Sequence, residues 1–161
     1  VFGRGNHVDN EGVIQRSDQT FHHGVDIDGP DGAIIVAAHS GTVSYARYSG
    51  THNPPSYTDF KGNVIGSYST EGSGYGYAVY IDAEFCGKAV QTRYAHMCCG
   101  DGAIGSSLFV EEGDTVEAGQ KIGVIGNTGL STMRHLHFEL RISGSEKSTP
   151  VAVDPAPYLG A

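Results

Sequence analysis

A chain of 161 residues suits one domain with a sizeable buried core. Its formal net charge of −8, with no Lys/Arg cluster, argues against a nucleic-acid binder, and no apolar run approaches the ~20 residues a transmembrane helix needs. The 24 glycines, the absence of tryptophan and the short Val/Ile/Tyr-rich runs cut by Gly and Asp-Gly turns predict an all-β domain with little helix.

In chain order, residues 1–20 read as an opening strand and a loop, with His7 on the surface. Val1-Phe2-Gly3-Arg4 already reads as folded sequence rather than a leader, so the domain is expected to belong to a longer protein. In Phe21 to Ile27, Gly24 and the β-branched Val25 and Ile27 argue against helix. Asp26 faces away from the apolar side of Val25 and Ile27, and the Gly24 bend lets His22 swing toward it. That pair reads either as half of a metal shell or as a carboxylate orienting a neighbouring imidazole. After the Gly29-Pro30-Asp31-Gly32 turn, Ala33–Ala38 is predicted as a buried strand, His39 as a turn residue, and Gly41–Ala46 as the next strand.

Residues 49–76 break the rhythm with a long Gly/Ser/Pro/Asn/Tyr-rich stretch, predicted as an insertion. Its Tyr57, Phe60, Tyr68 and Tyr75 suit lining a groove or pinning the loop to the body. Residues 77–82 and 89–96 are predicted as a hairpin around Phe85-Cys86-Gly87-Lys88, with Tyr94 and His96 on one face and His96 at the strand end. Full extension would hold Cys86 and Cys98 roughly 40 Å apart, so no bridge between them is expected. Cys86, Cys98 and Cys99 read as buried or free thiols and leave the compartment open. Residues 108–126 carry a strand-turn-strand rhythm like that of barrel-sandwich hybrid carrier domains, without a carrier's lysine signature.

Arg134-His135-Leu136-His137-Phe138-Glu139-Leu140 alternates with period two and predicts a half-buried strand. His135, His137, Glu139 and Arg141 then share one face, opposite Leu136, Phe138, Leu140 and Ile142. Two imidazoles two residues apart on a rigid strand are well placed to share one metal ion, or a metal and its water.

His22-x-x-x-Asp26, Tyr94-Ala95-His96 and His135-Leu136-His137 stand in order. With the opening Phe2-Gly3-Arg4, the Gly-Asp-x-Val-x-x-Gly-Gln-x-Ile-Gly run and Gly126-Asn127-Thr128-Gly129, the chain resembles the lysostaphin/LytM-type zinc metallopeptidases, family M23, from residue 2 to about 159. The resemblance implies a single domain over 1–161, with antiparallel sheets, an open substrate groove and a duplicated, barrel-sandwich hybrid-like motif. It implies one zinc ion held by His22, Asp26 and His137, with His23 as a register alternative to His22. His96 and His135 match the two further histidines that contact the catalytic water or substrate; their division of roles stays open. Residues 49–76 would build one side of the groove, and Met133-Arg134 stands where the family often has Gly-Pro. The implied partner is a peptidoglycan peptide met outside the cytoplasm by a monomeric endopeptidase. A non-catalytic wall-binding or regulatory domain keeping a structural metal is the other reading.

Overall fold

A computed structural model describes residues 3–4, 21–49, 57–58, 64–65, 74–98, 108–129, 131, 133–144 and 149–160. Among them the strands are β1 (Gly3–Arg4), β2 (Phe21–His22), β3 (Val25–Ile27), β4 (Ile34–Val36), β5 (Gly41–Ser49), β6 (Tyr57–Thr58), β7 (Val64–Ile65), β8 (Gly76–Phe85), β9 (Lys88–Cys98), β10 (Thr115–Val116), β11 (Lys121–Ile125), β12 (Leu136–Ile142) and β13 (Val151–Val153). One 3-10 turn, Ala156–Tyr158, follows; no described segment is an α-helix, and none is a helix long and apolar enough to cross a membrane. The all-β expectation holds, as an open antiparallel sheet rather than a closed barrel.

Nine strands form that sheet, in the order β10-β5-β8-β9-β11-β4, with β12 branching from β9 and pairing also with β3 and β13. The short β1–β2 and β6–β7 pairs stand apart from it. β9 is the hub. One edge pairs with β8 through the predicted hairpin; the other pairs with β12 along Val90–Ala95 and then with β11 at Met97 and Cys98. The hairpin turn has Cys86 and Gly87 both at positive φ, 50° and 71°, matching the twist of the flanking strands. Cys86 is an exposed free thiol, and Cys98 is buried. Cys99, His7 and most of residues 49–76 lie outside the described residues.

One face of the sheet carries the core: Val43, Val79, Ile81, Tyr94 and Phe138, packed with Val110, Val116, Ile122 and Ile125. The other face carries the polar side chains of β9 and β12. Two register shifts re-aim residues between these faces. Between Val43 and Tyr45 an extra residue turns Tyr45 away from the core side that Val43 occupies, onto Tyr80. Between Tyr77 and Val79 of β8, β9 runs one residue longer, and His96 there takes a left-handed φ of 58° while its backbone N–H donates to Tyr75 O at 2.7 Å.

Three expectations need correction. Tyr94 and His96 do not share a face: Tyr94 packs on Phe138 in the core, at 5.4 Å between ring centroids, and the bulge at His96 sends its ring to the opposite side beside His137. Residues 33–38 do not form a buried strand. β4 is three residues at the sheet edge, alternating between buried Ile35 and Ile34 and Val36, each 45% exposed. The strand around His137 is not half-buried but covered on both faces at its centre, and it begins at Leu136 rather than Arg134.

Candidate metal centre and active site

The site begins with the pairing of β3 and β12. Asp26 stands directly opposite His137 in their antiparallel register. Gly24 makes that approach possible, because a Cβ there would lie 2.3 Å from Phe138 O. The bend carries His22 back over β3, as the spacing implied. His22 Nε2 then lies 3.2 Å from Asp26 Oδ1 and 3.1 Å from His137 Nδ1, and His137 Nδ1 lies 3.0 Å from Asp26 Oδ1. Among the described residues these three form the group whose ligand atoms are close enough to share a metal ion. His23 is exposed and stands outside that group, so of the two register alternatives it is His22 that joins the cluster. Burial alone would raise the Asp26 carboxyl, but the hydrogen bonds from His137 and His22 outweigh it and hold the group well below the usual carboxylate range.

His96 and His135 flank the cluster. The His135 ring lies 4.9 Å from that of His96, the His96 ring lies 5.8 Å from that of His137, and His135 Nε2 lies 3.5 Å from Asp26 Oδ1. Each has its tautomer fixed by a backbone carbonyl, which only accepts. His96 Nδ1–H donates to Thr128 O at 2.7 Å, and His135 Nδ1–H donates to Met133 O at 2.8 Å. In both rings Nε2 is therefore the nitrogen left with a lone pair. Burial pushes the His96 imidazole down to about 4, against the pull of its Thr128 hydrogen bond. All five residues nominated from the sequence thus converge on one patch of the sheet.

Glu139 and Tyr75, the latter expected only to line a groove or pin its loop, complete the patch. Glu139 is 0% exposed, yet its carboxylate is fully engaged. It accepts from His137 Nε2 at 3.1 Å, from Arg141 Nε at 2.7 Å and from the Tyr75 hydroxyl. Burial raises this acid, but the hydrogen bonds from His137, Tyr75 and Arg141 override it and bring it down to about 2. Tyr75 stacks on His137, with ring centroids 5.6 Å apart and planes 22° apart. The sequence placed Glu139 on the histidine face of β12, which was the available signal. Nothing in the spacing linked Tyr75, over sixty residues away, to that strand.

Residues 20–152 match peptidase family M23. The chain belongs to that family. This M23 chain is 31% identical over 140 residues to the DD-carboxypeptidase/endopeptidase Mpg of Neisseria meningitidis, an alignment spanning 86% of this chain and 24% of that protein. It is 32% identical over 136 residues to the murein hydrolase activator NlpD of Salmonella typhimurium, spanning 84% and 26% respectively. The catalytic domain of lysostaphin from Staphylococcus simulans matches its fold with a TM-score of 0.60 at 28% identity, covering 99% of this chain and 89% of that one. The M23 chain spans about a quarter of the length of the two full-length relatives.

Beside the centre, the M23 sheet presents a row of paired residues on the same face. Glu139 of β12 stands opposite Arg93 of β9, Arg93 opposite Tyr80 of β8, and Tyr80 opposite Tyr45 of β5. Tyr45 and Tyr80 stack at 4.5 Å, and the Arg93 guanidinium lies over the Tyr80 ring at 4.4 Å.

Proposed function

We propose that this M23 domain is a zinc-dependent endopeptidase that hydrolyses peptide bonds in bacterial peptidoglycan, outside the cytoplasm. His22, Asp26 and His137 hold the metal, and His96 and His135 carry the proton chemistry. The observation behind this reading is the convergence of His22 Nε2, Asp26 Oδ1 and His137 Nδ1 to within 3.0–3.2 Å of one another. Ligand atoms around a tetrahedral zinc, about 2.0–2.1 Å from the ion, stand roughly 3.3 Å from each other. The donor set also fits the ion chemically. Two imidazoles and one carboxylate leave a four-coordinate zinc one open position, as catalytic sites require. Asp26 and Glu139 against the two nitrogens of His137 favour positive charge there, and raise that imidazole against its burial.

Zinc, when bound, supplies a Lewis acid for the scissile carbonyl and lowers the pKa of water to about 7. The chain supplies the rest. His96 and His135 each offer Nε2 as a proton acceptor while their Nδ1–H groups stay locked to backbone carbonyls. One accepts the proton of the attacking water and passes it to the leaving amine. The other, once protonated, donates to the oxyanion, a contact worth about 3 kcal/mol. Glu139 holds the His137 ring from behind.

The similarity to NlpD favours a second reading, a murein hydrolase activator that keeps its metal without cutting. Retention of all five histidine and aspartate positions favours the enzyme. The two separate in one experiment on the purified, zinc-loaded domain. His137→Ala should lose the metal, by elemental analysis. His135→Ala should keep it and lose hydrolysis, read as new amino termini released from peptidoglycan. Undiminished function in His135→Ala, with no termini released by either protein, would establish the activator reading instead.

A further inference from the structure

A fixed cation stands on the floor of the site, and the neighbouring acids do not use it. The Arg93 head is held on three sides: its guanidinium covers the Tyr80 ring at 4.4 Å, its Nε donates to Gln91 Oε1 at 2.6 Å, and the Tyr75 hydroxyl lies against it. Gln91 is itself oriented, because its Nε2 donates to Asp82 Oδ1 at 2.7 Å. The carboxylates beside this group are engaged elsewhere. Asp82 takes Gln91, and Glu139 takes His137, Arg141 and Tyr75. Among the described residues no carboxylate lies within ion-pair distance of Arg93.

Position gives this cation a reach. Arg93 lies two residues along β9 from Ala95, the residue opposite His137. At ~3.3 Å per strand residue, that is about 7 Å from the metal-ligand row, or the span of roughly two residues of an extended peptide. A substrate laid over the centre therefore brings a group one or two residues from its scissile bond above Arg93. A guanidinium with its stem clamped and its plane stacked is organised for paired N–H···O bonds to a carboxylate.

We propose that Arg93 binds a carboxylate of the substrate peptide, one or two residues from the bond cut. The preferred substrate is then an acid-bearing stem peptide rather than an uncharged glycine bridge. This rests on the peptidase reading above and narrows it.

The test uses the zinc-loaded protein, wild type and Arg93→Gln, with two cross-linked stem peptides. These are identical except that the carboxyl group beside the cross-link is free in one and a primary amide in the other. A pentaglycine-bridged peptide is the uncharged control. Wild type should cut the acid about tenfold or more faster than the amide in kcat/KM, with the pentaglycine peptide slowest. Arg93→Gln should lose about tenfold more on the acid than on the amide, with zinc content and melting temperature retained, and Arg93→Lys should recover part of the difference. Equal cutting of acid and amide by wild type would overturn the proposal. So would equal losses on both substrates in Arg93→Gln, which mark a residue that merely shapes the floor. If no peptide is cut, the peptidase reading fails by itself. Calorimetric binding of the acid and amide peptides then still decides the role of Arg93: a preference for the acid that Arg93→Gln abolishes supports it, and equal affinities overturn it.

Discussion

Glu139 is a buried acid one contact removed from the metal cluster, and its value lies in what it does to His137. Accepting from Nε2 holds the proton on that nitrogen, so that Nδ1, which faces His22 and Asp26, is the nitrogen that would give its lone pair to a metal. Arg141 and Tyr75 hold Glu139 in turn. Glu139→Ala should weaken zinc binding by about 10–100-fold in chelator competition. Glu139→Gln, which keeps an acceptor oxygen, should lose less; equal affinity in all three proteins would remove Glu139 from the site. The convergence of His22, Asp26 and His137 was legible, because the Gly24 bend turns His22 toward Asp26 and period two puts His137 on the polar face of β12. The role of Glu139 was not, because a glutamate at that phase of a strand serves equally well facing water. Only the burial contributed by Tyr75 and neighbouring strands separates the two.

At the scale of elements, the bulge at His96 does the positioning. Period two assigns residues 94 and 96 to one face, and a single extra residue in β9 reverses the second. A one-residue slip leaves no compositional mark, which is why the alternation misled there while the hairpin itself was plain. The left-handed φ of 58° costs a non-glycine residue about 1–2 kcal/mol. His96→Gly and His96→Ala both remove the imidazole, and both should lose about 10²-fold or more in turnover. The glycine variant should nonetheless be the more stable by about 1 kcal/mol in denaturant titration. Equal stability would mean that the bulge relaxes once the ring is gone. β4 failed differently. Its apolar run reads as interior strand, yet the sheet ends there, and edge position depends on pairings far away in sequence.

Over the whole molecule, several described tyrosines are half-buried against the sheet, and Tyr94 is fully buried in it. Burial raises Tyr48, Tyr75 and Tyr94, and pushes Tyr80 up to about 12 from its ordinary 10. Below pH 10 both folded and unfolded chains keep these protons. Between 10 and 12 the unfolded chain releases them first, so folding stability must fall as pH rises through that window. Melting temperature followed from pH 8 upward should decline beyond 10, and Tyr80→Phe should soften the decline; an unaltered slope in that variant would exclude Tyr80 as a contributor. The same scale marks the limit of sequence reading. Strand existence was visible, whereas the insertion of β12 between β9 and β3 was not, because those pairings join His137 to Ala95, 42 residues back, and to Asp26, 111 residues back.

That long-range joining has a consequence for the chain during its own synthesis. Two members of the candidate metal cluster, His22 and Asp26, leave the ribosome more than a hundred residues ahead of the third, His137, whose strand unites them. Until β12 is made, His22, Asp26 and His137 cannot meet, and the nascent domain has no candidate metal centre.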